Sequence, residues 1–342
     1  MKKIVILLLS AALIISLFAC GKDGGDTTGT ESDTGVYVPA DVSDVPSPMK
    51  INGREIPYGL FRYYYAAVKY QYDLDDPDFW LDSGKYDEVR DLTVFYMKRI
   101  AAVQEYAEQN GVELTEIEKK QAQQSVNESR YSSFEDDNDY YRALDLYFLT
   151  EETNLLLEEQ QMLEEKLFEY LISGESGPKI SSNPELIRRF VNNHVVRVDH
   201  ILVRNDEGED RNENETLIKE LYERLQNGAD FYELKHKYTE DTDNADDDTG
   251  YYISKGDKSQ QFSDASFALE VGQMSGVVEA PYGYHIILRL EPDEEFIGNN
   301  LDGQFLELYR YGMFNTALYK LMDAQTVEYD PSFYTYTPLN IK

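Results

Sequence analysis

The hydrophobic period changes once along this chain, and that change bounds the folds open to it. From Leu60 onward apolar residues recur at helical spacing, as at Leu60, Tyr64, Ala67 and Val68. After His194 the period drops to two, with Val196, Val198, His200 and Leu202 on one face of a half-buried strand that spans Val195 to Val203. Helices are predicted at about Tyr86 to Gln109, Thr115 to Arg130, Phe134 to Leu149 and Glu151 to Ile172. Asn110-Gly111 supplies a stop, and Thr115 with Glu118 forms a capping-box pattern. A Gly/Ser break at Ser173 to Pro178 precedes a short helix from Asn183-Pro184 to about Asn193. Beyond the change, helices at Glu213 to Asn227, Asp230 to Tyr238 and Ser263 to Leu269 alternate with strands at Val277 to Glu279 and Tyr284 to Glu291. Strands flanked by helices over about 100 residues make a small α+β unit. A helix from Leu301 to Met322 and an extended tail from Thr326 to Pro338 follow it, and Lys50 to Ile56 reads as a short strand with an Asn-Gly turn.

The only cysteine, Cys20, cannot form an internal disulfide, a Cys-rich zinc site or an iron–sulfur site. It follows Lys2, Lys3 and an uncharged, mostly apolar run from Ile4 to Ala19, the layout of a secretory signal. Ala19-Cys20 resembles the bacterial lipobox, in which the cysteine is acylated and becomes the mature N-terminus. The expectation is a signal over 1–19, a lipid anchor at Cys20 and a flexible Gly/Thr/Ser/Asp-rich tether over 20–48, which would hold the body about 30 Å from a membrane. With 65 acidic against 32 basic side chains and a formal charge of -33, the surface repels phosphates, which excludes broad binding to nucleic acid or anionic lipid. At 42% hydrophobic and 13% aromatic residues the bulk of the chain folds despite that charge. Tyr63-Tyr64-Tyr65 suits either a client-binding cleft or the core of an amphipathic helix.

An ordered set of pieces runs from His200 to Glu291. It comprises His200-Ile201-Leu202-Val203, Gly228-Ala229-Asp230-Phe231, Tyr238-Thr239-Glu240-Asp241, Phe262 to Leu269, Gly272-Gln273-Met274-Ser275-Gly276 and Gly283-Tyr284-His285-Ile286-Ile287. In this order they resemble a parvulin peptidyl-prolyl isomerase domain. With the flanking lipobox, Asn-Gly strand and helices, the chain is similar to the PrsA and SurA families of extracytoplasmic foldases. The resemblance implies an α+β parvulin domain over 194–292, a central antiparallel sheet flanked by helices, inserted in a mostly helical foldase lobe. That lobe would be formed by 49–193 and completed by a C-terminal helix and tail at 293–342.

By the same resemblance His200 and His285 form paired histidines at the floor of the site, and Asp241 takes the position held by Cys or Asp across the family. Two neutral imidazoles can bond in alternative tautomers and orient an acidic group above them. The substrate-binding residues implied are Thr249, Tyr252, Lys258, Phe262 and Tyr282. Here the sequence departs from the family, with Thr249 and Lys258 standing where apolar residues are usual. Losing that contact costs about 1–3 kcal/mol of proline-ring burial, about a ten- to hundredfold loss in rate, so the expected activity is weak. The acidic loop between Arg204 and Arg211 lacks the basic cluster that phosphorylated substrates need. The run Asp241 to Asp248 departs from a calcium loop at Ala245 and Asp246 and reads as solvated. No cofactor or metal is implied. The expected partners are unfolded or newly secreted proteins with Xaa-Pro bonds, the membrane through Cys20, and a second copy through the helical lobe. The alternative reading is a non-catalytic holdase whose parvulin domain is a degenerate scaffold.

Overall fold

The computed structural model describes residues 30–31, 37–39, 41–73, 78–82, 84–173, 179–205, 211–280 and 283–341. The signal run, Cys20, Tyr282 and the acidic residues 206–210 lie outside the described residues. The chain divides into two compact units. One is Ile180–Thr316, and the other is formed by the segments on either side, up to Lys179 and from Ala317.

The flanking unit starts with β1 (Thr30–Glu31) paired to β2 (Tyr37–Val38). Next, β3 (Met49–Ile51) and β4 (Arg54–Glu55) form a hairpin turned by Asn52 and Gly53, with φ of 49° and 76°. Positive φ at both turn residues is what an Asn-Gly pair accommodates. Among the described residues six helices follow: α1 (Tyr58–Asp73), α2 (Phe79–Asp82), α3 (Tyr86–Asn110), α4 (Glu116–Ser133), α5 (Asp137–Leu146) and α6 (Glu151–Ser173). Local chemistry sets their ends. Gly111, at φ 67°, closes α3 in the left-handed conformation, and Thr115 opens α4 by exchanging hydrogen bonds with Glu118. Asp136 caps α5, so this helix begins later than the predicted Phe134. The core packs Phe61, Tyr65, Trp80, Val89 and Met97. Tyr63, Tyr64 and Tyr65 are all buried in it, which decides for core between the two roles open to them. Tyr37 is buried too, its hydroxyl donating to Asp145 at 2.7 Å, and Val42 and Val45 pack on the same core. Tyr37 thus belongs to the packed chain, inside the span expected as a tether to 48, because it both buries a ring and donates to a buried carboxylate.

In the other unit α7 (Pro184–His194) passes directly into β5 (Val195–Arg204). Then come α8 (Arg211–Gln226), α9 (Phe231–Tyr238), β6 (Tyr251–Ser254), α10 (Gln260–Ala268), β7 (Met274–Ala280), β8 (Gly283–Leu290), α11 (Glu294–Asn299) and the start of α12 (Gln304–Ala324). The four strands form an antiparallel sheet in the order β6-β5-β8-β7. The alternating side chains give it two faces. Ile201, Val203 and Ile286 pack against Ile218 and Leu221 of α8 and Leu234 of α9. Val196, Val198, Ile253 and Ile287 pack against Phe262 of α10. The sequence expectations lack β6, which is too short to display a period. Gly250 lets it approach β5: at φ +69°, a Cβ there would lie 2.5 Å from the Val198 carbonyl oxygen. Helix α10 starts earlier than the predicted Ser263, since Ser259 caps it through the Phe262 N–H.

Past this unit the chain returns to the flanking one. There β9 (Val327–Tyr329) pairs antiparallel with β3, Met49 opposite Tyr329 and Ile51 opposite Val327. A 3-10 turn at Pro331–Thr335 sets Phe333 against Phe61. The fold is α+β, with the sheet-bearing unit inserted between two segments of a mostly helical one.

Candidate active site

A free strand edge brings the site together. The β6 pairing stops where Tyr251 meets Val198, so among the described residues β5 has no strand partner on that side from Asp199 onward. A buried N–H without a partner costs about 1–3 kcal/mol, and the segment leaving α9 covers this edge. The Leu202 N–H donates to Thr239 Oγ1 at 3.1 Å and the Arg204 N–H to Glu240 Oε2 at 2.5 Å, while the Glu240 N–H donates to the Leu202 carbonyl at 2.9 Å. Laying Thr239 and Glu240 along β5 places the next residue, Asp241, against His200.

His200 Nε2 lies 2.9 Å from Asp241 Oδ2, and the Tyr251 hydroxyl donates to the same oxygen at 2.7 Å. On its other side His200 Nδ1 is 3.0 Å from Nδ1 of His285, a neighbour on β8. The Phe262 ring meets both imidazoles edge-on, with centroids 5.2 and 5.0 Å away. Burial acts to raise the Asp241 pKa, but the hydrogen bonds from His200 and Tyr251 outweigh it and hold the carboxyl well below its ordinary value. An ionised Asp241 only accepts, so His200 must carry its proton on Nε2. Its Nδ1 faces the Nδ1 of His285, where one imidazole donates and the other accepts. Burial, and then the hydrogen bond from its hydroxyl to Asp241, push the Tyr251 hydroxyl far above the usual range, so it stays a donor.

Burial first, and then His200 and the Lys258 ammonium, hold His285 well below 6.5, against the pull of Asp241. The unfolded chain therefore binds a proton near pH 6.5 that the folded chain refuses. The contribution to stability is complete above that pH and is lost as pH falls below it, by up to about 1.4 kcal/mol per pH unit. Denaturant midpoints measured from pH 8 to pH 5 should fall on the acid side, and His285→Asn should flatten that fall. Equal slopes in the two proteins would show that His285 is not held neutral.

Of the residues expected at the site, His200, His285, Asp241 and Phe262 come together. Tyr252 does not. Strand neighbours face opposite ways, and it is Tyr251 that turns to His200. Tyr252 instead stacks on Phe296, meets Phe305 edge-on and accepts the Asp293 N–H at 2.8 Å. Thr249 is exposed and acts through its main chain, its N–H donating to Asp247 Oδ1 at 2.9 Å and its carbonyl accepting from Arg197 Nε at 2.8 Å. The Lys258 ammonium stands 4.9 Å over the Tyr251 ring, beside the cluster rather than withdrawn from it. Sequence reasoning also missed Asp199 and Lys235, a fully buried pair at 2.8 Å beneath the site. A lysine beside Leu234 on the core side of α9 was the available signal. Among the described residues no group of His, Cys, Asp and Glu could hold a metal ion.

The family model for Rotamase, the PPIC-type PPIASE domain, matches residues 200–291. This segment is a parvulin-type rotamase domain. The chain is 35% identical over 97 residues to Foldase protein PrsA of Oceanobacillus iheyensis, covering 28% of this chain and 29% of that one. It is 40% identical over 95 residues to Chaperone SurA of Methylobacillus flagellatus, covering 28% and 22%. The chain thus spans between about a fifth and a half of the length of the curated relatives it matches. Among solved structures, PrsA from Streptococcus pneumoniae is similar at 19% identity with a TM-score of 0.34, over 71% of this chain and 88% of that one.

Proposed function

We propose that this chain is a peptidyl-prolyl cis-trans isomerase and foldase, held outside the cytoplasm by a lipid on Cys20, with a weak catalytic rate. The observation that carries the reading is the cluster of His200, Asp241, His285 and Phe262 within a rotamase domain. A prolyl bond turns over a barrier of about 18–20 kcal/mol because its amide resists leaving the plane. Rate enhancement needs no covalent step, only tighter binding of the twisted amide than of the planar one. Phe262 offers an apolar wall for the proline ring. His200 and His285, orienting each other, and the ionised Asp241, held by Tyr251, form a polar floor beside which the amide loses its conjugation. Low activity follows from Lys258, whose ammonium borders the cluster beside Tyr251. Unfolded or newly secreted proteins are the substrates of this reading. The membrane is reached through the lipid on Cys20. A second copy through the helical lobe completes the partners.

The test is exchange NMR on Xaa-Pro peptides with the full chain. A measurable gain over buffer is expected, and Lys258→Met should raise it about tenfold by restoring apolar contact with the proline ring. A wild-type rate equal to buffer would overturn the enzyme reading in favour of the holdase, which the polar wall at Lys258 also fits.

A further inference from the structure

Asp199 and Lys235 take no part in the chemistry above, yet both side chains are fully buried, where an apolar pair would be the cheaper way to join a strand to a helix. Their hydrogen bonds lead to the site. Asp199 precedes His200 on β5, with its side chain on the opposite face. Its Oδ1 accepts the His200 N–H at 2.8 Å and Asn244 Nδ2 at 2.9 Å, and its Oδ2 accepts Lys235 Nζ at 2.8 Å. Lys235 Nζ donates as well to the Asp247 carbonyl at 2.7 Å and lies 3.8 Å from Asp248 Oδ1. Asn244 is buried, and its N–H donates to the Asp241 carbonyl at 3.2 Å. Asp199 thus holds the backbone of His200 and, through the Asn244 side chain, the middle of the segment from Asp241 to Asp247, while Lys235 holds its far end at Asp247. That segment carries Asp241, Asp243, Asp246 and Asp247, followed at once by Asp248, so its charges repel one another. Lys235 is the cation buried beneath it.

We infer that Asp199, Lys235 and Asn244 are positioning residues, which hold the acidic segment over β5 so that the Asp241 carboxylate meets His200 Nε2. The consequence for rate rests on the isomerase reading, but the consequence for geometry does not. Lys235→Met alone would strand a buried carboxylate and unfold the unit. The informative variants of the full chain are Asn244→Ala and the neutral double variant Asp199→Asn/Lys235→Met. Three readouts apply: circular dichroism for the fold, imidazole 15N–1H correlation spectra for the His200 Nε2 proton, and exchange NMR for prolyl isomerisation. In folded variants the hydrogen-bonded His200 Nε2–H signal should be lost to solvent exchange, and the catalysed rate should fall about tenfold or more. Folded variants with an unchanged His200 signal would overturn the inference and leave the three residues a purely structural role. If the wild type shows no isomerisation, the enzyme reading fails while the imidazole signal still decides the positioning role. If the double variant unfolds, Asn244→Ala decides alone.

Discussion

Asp241→Ala should lower catalysed prolyl isomerisation about 100-fold, the scale on which a preorganised electrostatic group counts. The carboxylate is the common acceptor for His200 Nε2 and the Tyr251 hydroxyl. Without it two donors lose their partner, and nothing sets the proton on His200 Nε2 rather than Nδ1, so the His200–His285 contact loses its fixed direction. Asp241→Asn keeps an acceptor oxygen of the same shape without the charge and should fall between the two. Because its hydrogen bonds hold Asp241 well below the ordinary carboxylate range, its charge is present at every pH above about 4 and is lost only in stronger acid. Asp241 should therefore impose no step on the wild-type rate from about pH 5 to pH 8. Exchange NMR across that range measures both effects. An Asp241→Ala rate equal to wild type would remove the carboxylate from the site.

Phe262→Ala should cost about 3–5 kcal/mol of stability, the range for truncating a buried phenylalanine. The ring is 3% exposed and packs with Val196, Val198 and Ile287 while its faces and edges meet both imidazoles. The same truncation takes away the wall against which a proline ring would rest, so activity falls even at temperatures where the variant stays folded. Phe262→Leu separates the two effects. It keeps most of the buried volume and should recover much of the stability, yet without the flat ring it should recover less of the rate. Urea unfolding followed alongside exchange NMR measures the pair. A loss below about 1 kcal/mol for Phe262→Ala would mean that the ring is not part of the core.

Most of what the sequence showed was local chemistry. The Asn-Gly turn at Asn52-Gly53, the stop at Gly111 and the Thr115–Glu118 capping box each depend on backbone groups within four residues, and all three form as written. Two residues at helix starts were harder to read. Ser259 and Asp136 move the starts of α10 and α5, because several nearby Ser, Thr and Asp residues offer equivalent caps and only packing selects one. The ordered pieces from His200 to Glu291 were enough to bring His200, Asp241, His285 and Phe262 to one place, since each belongs to a short motif.

Where a residue's neighbours lie far away in sequence, local pattern was silent. The choice of Tyr251 over Tyr252 depends on the register of β6 against β5, and one step of register turns a side chain to the other face. Tyr37 became core through its bond to Asp145, 108 residues further along the chain, and β9 closed on β3 across nearly the whole chain. Asp199 and Lys235 read as an ordinary acid and an ordinary base until the fold buried them against each other beneath Asp241. The sequence by itself determined the α+β class, the order of the long helices and of the strands β5, β7 and β8, and the residue types of the site. The tertiary structure alone decided which face each side chain took and which charges were buried, because both depend on pairing between segments whose contacts no local period encodes.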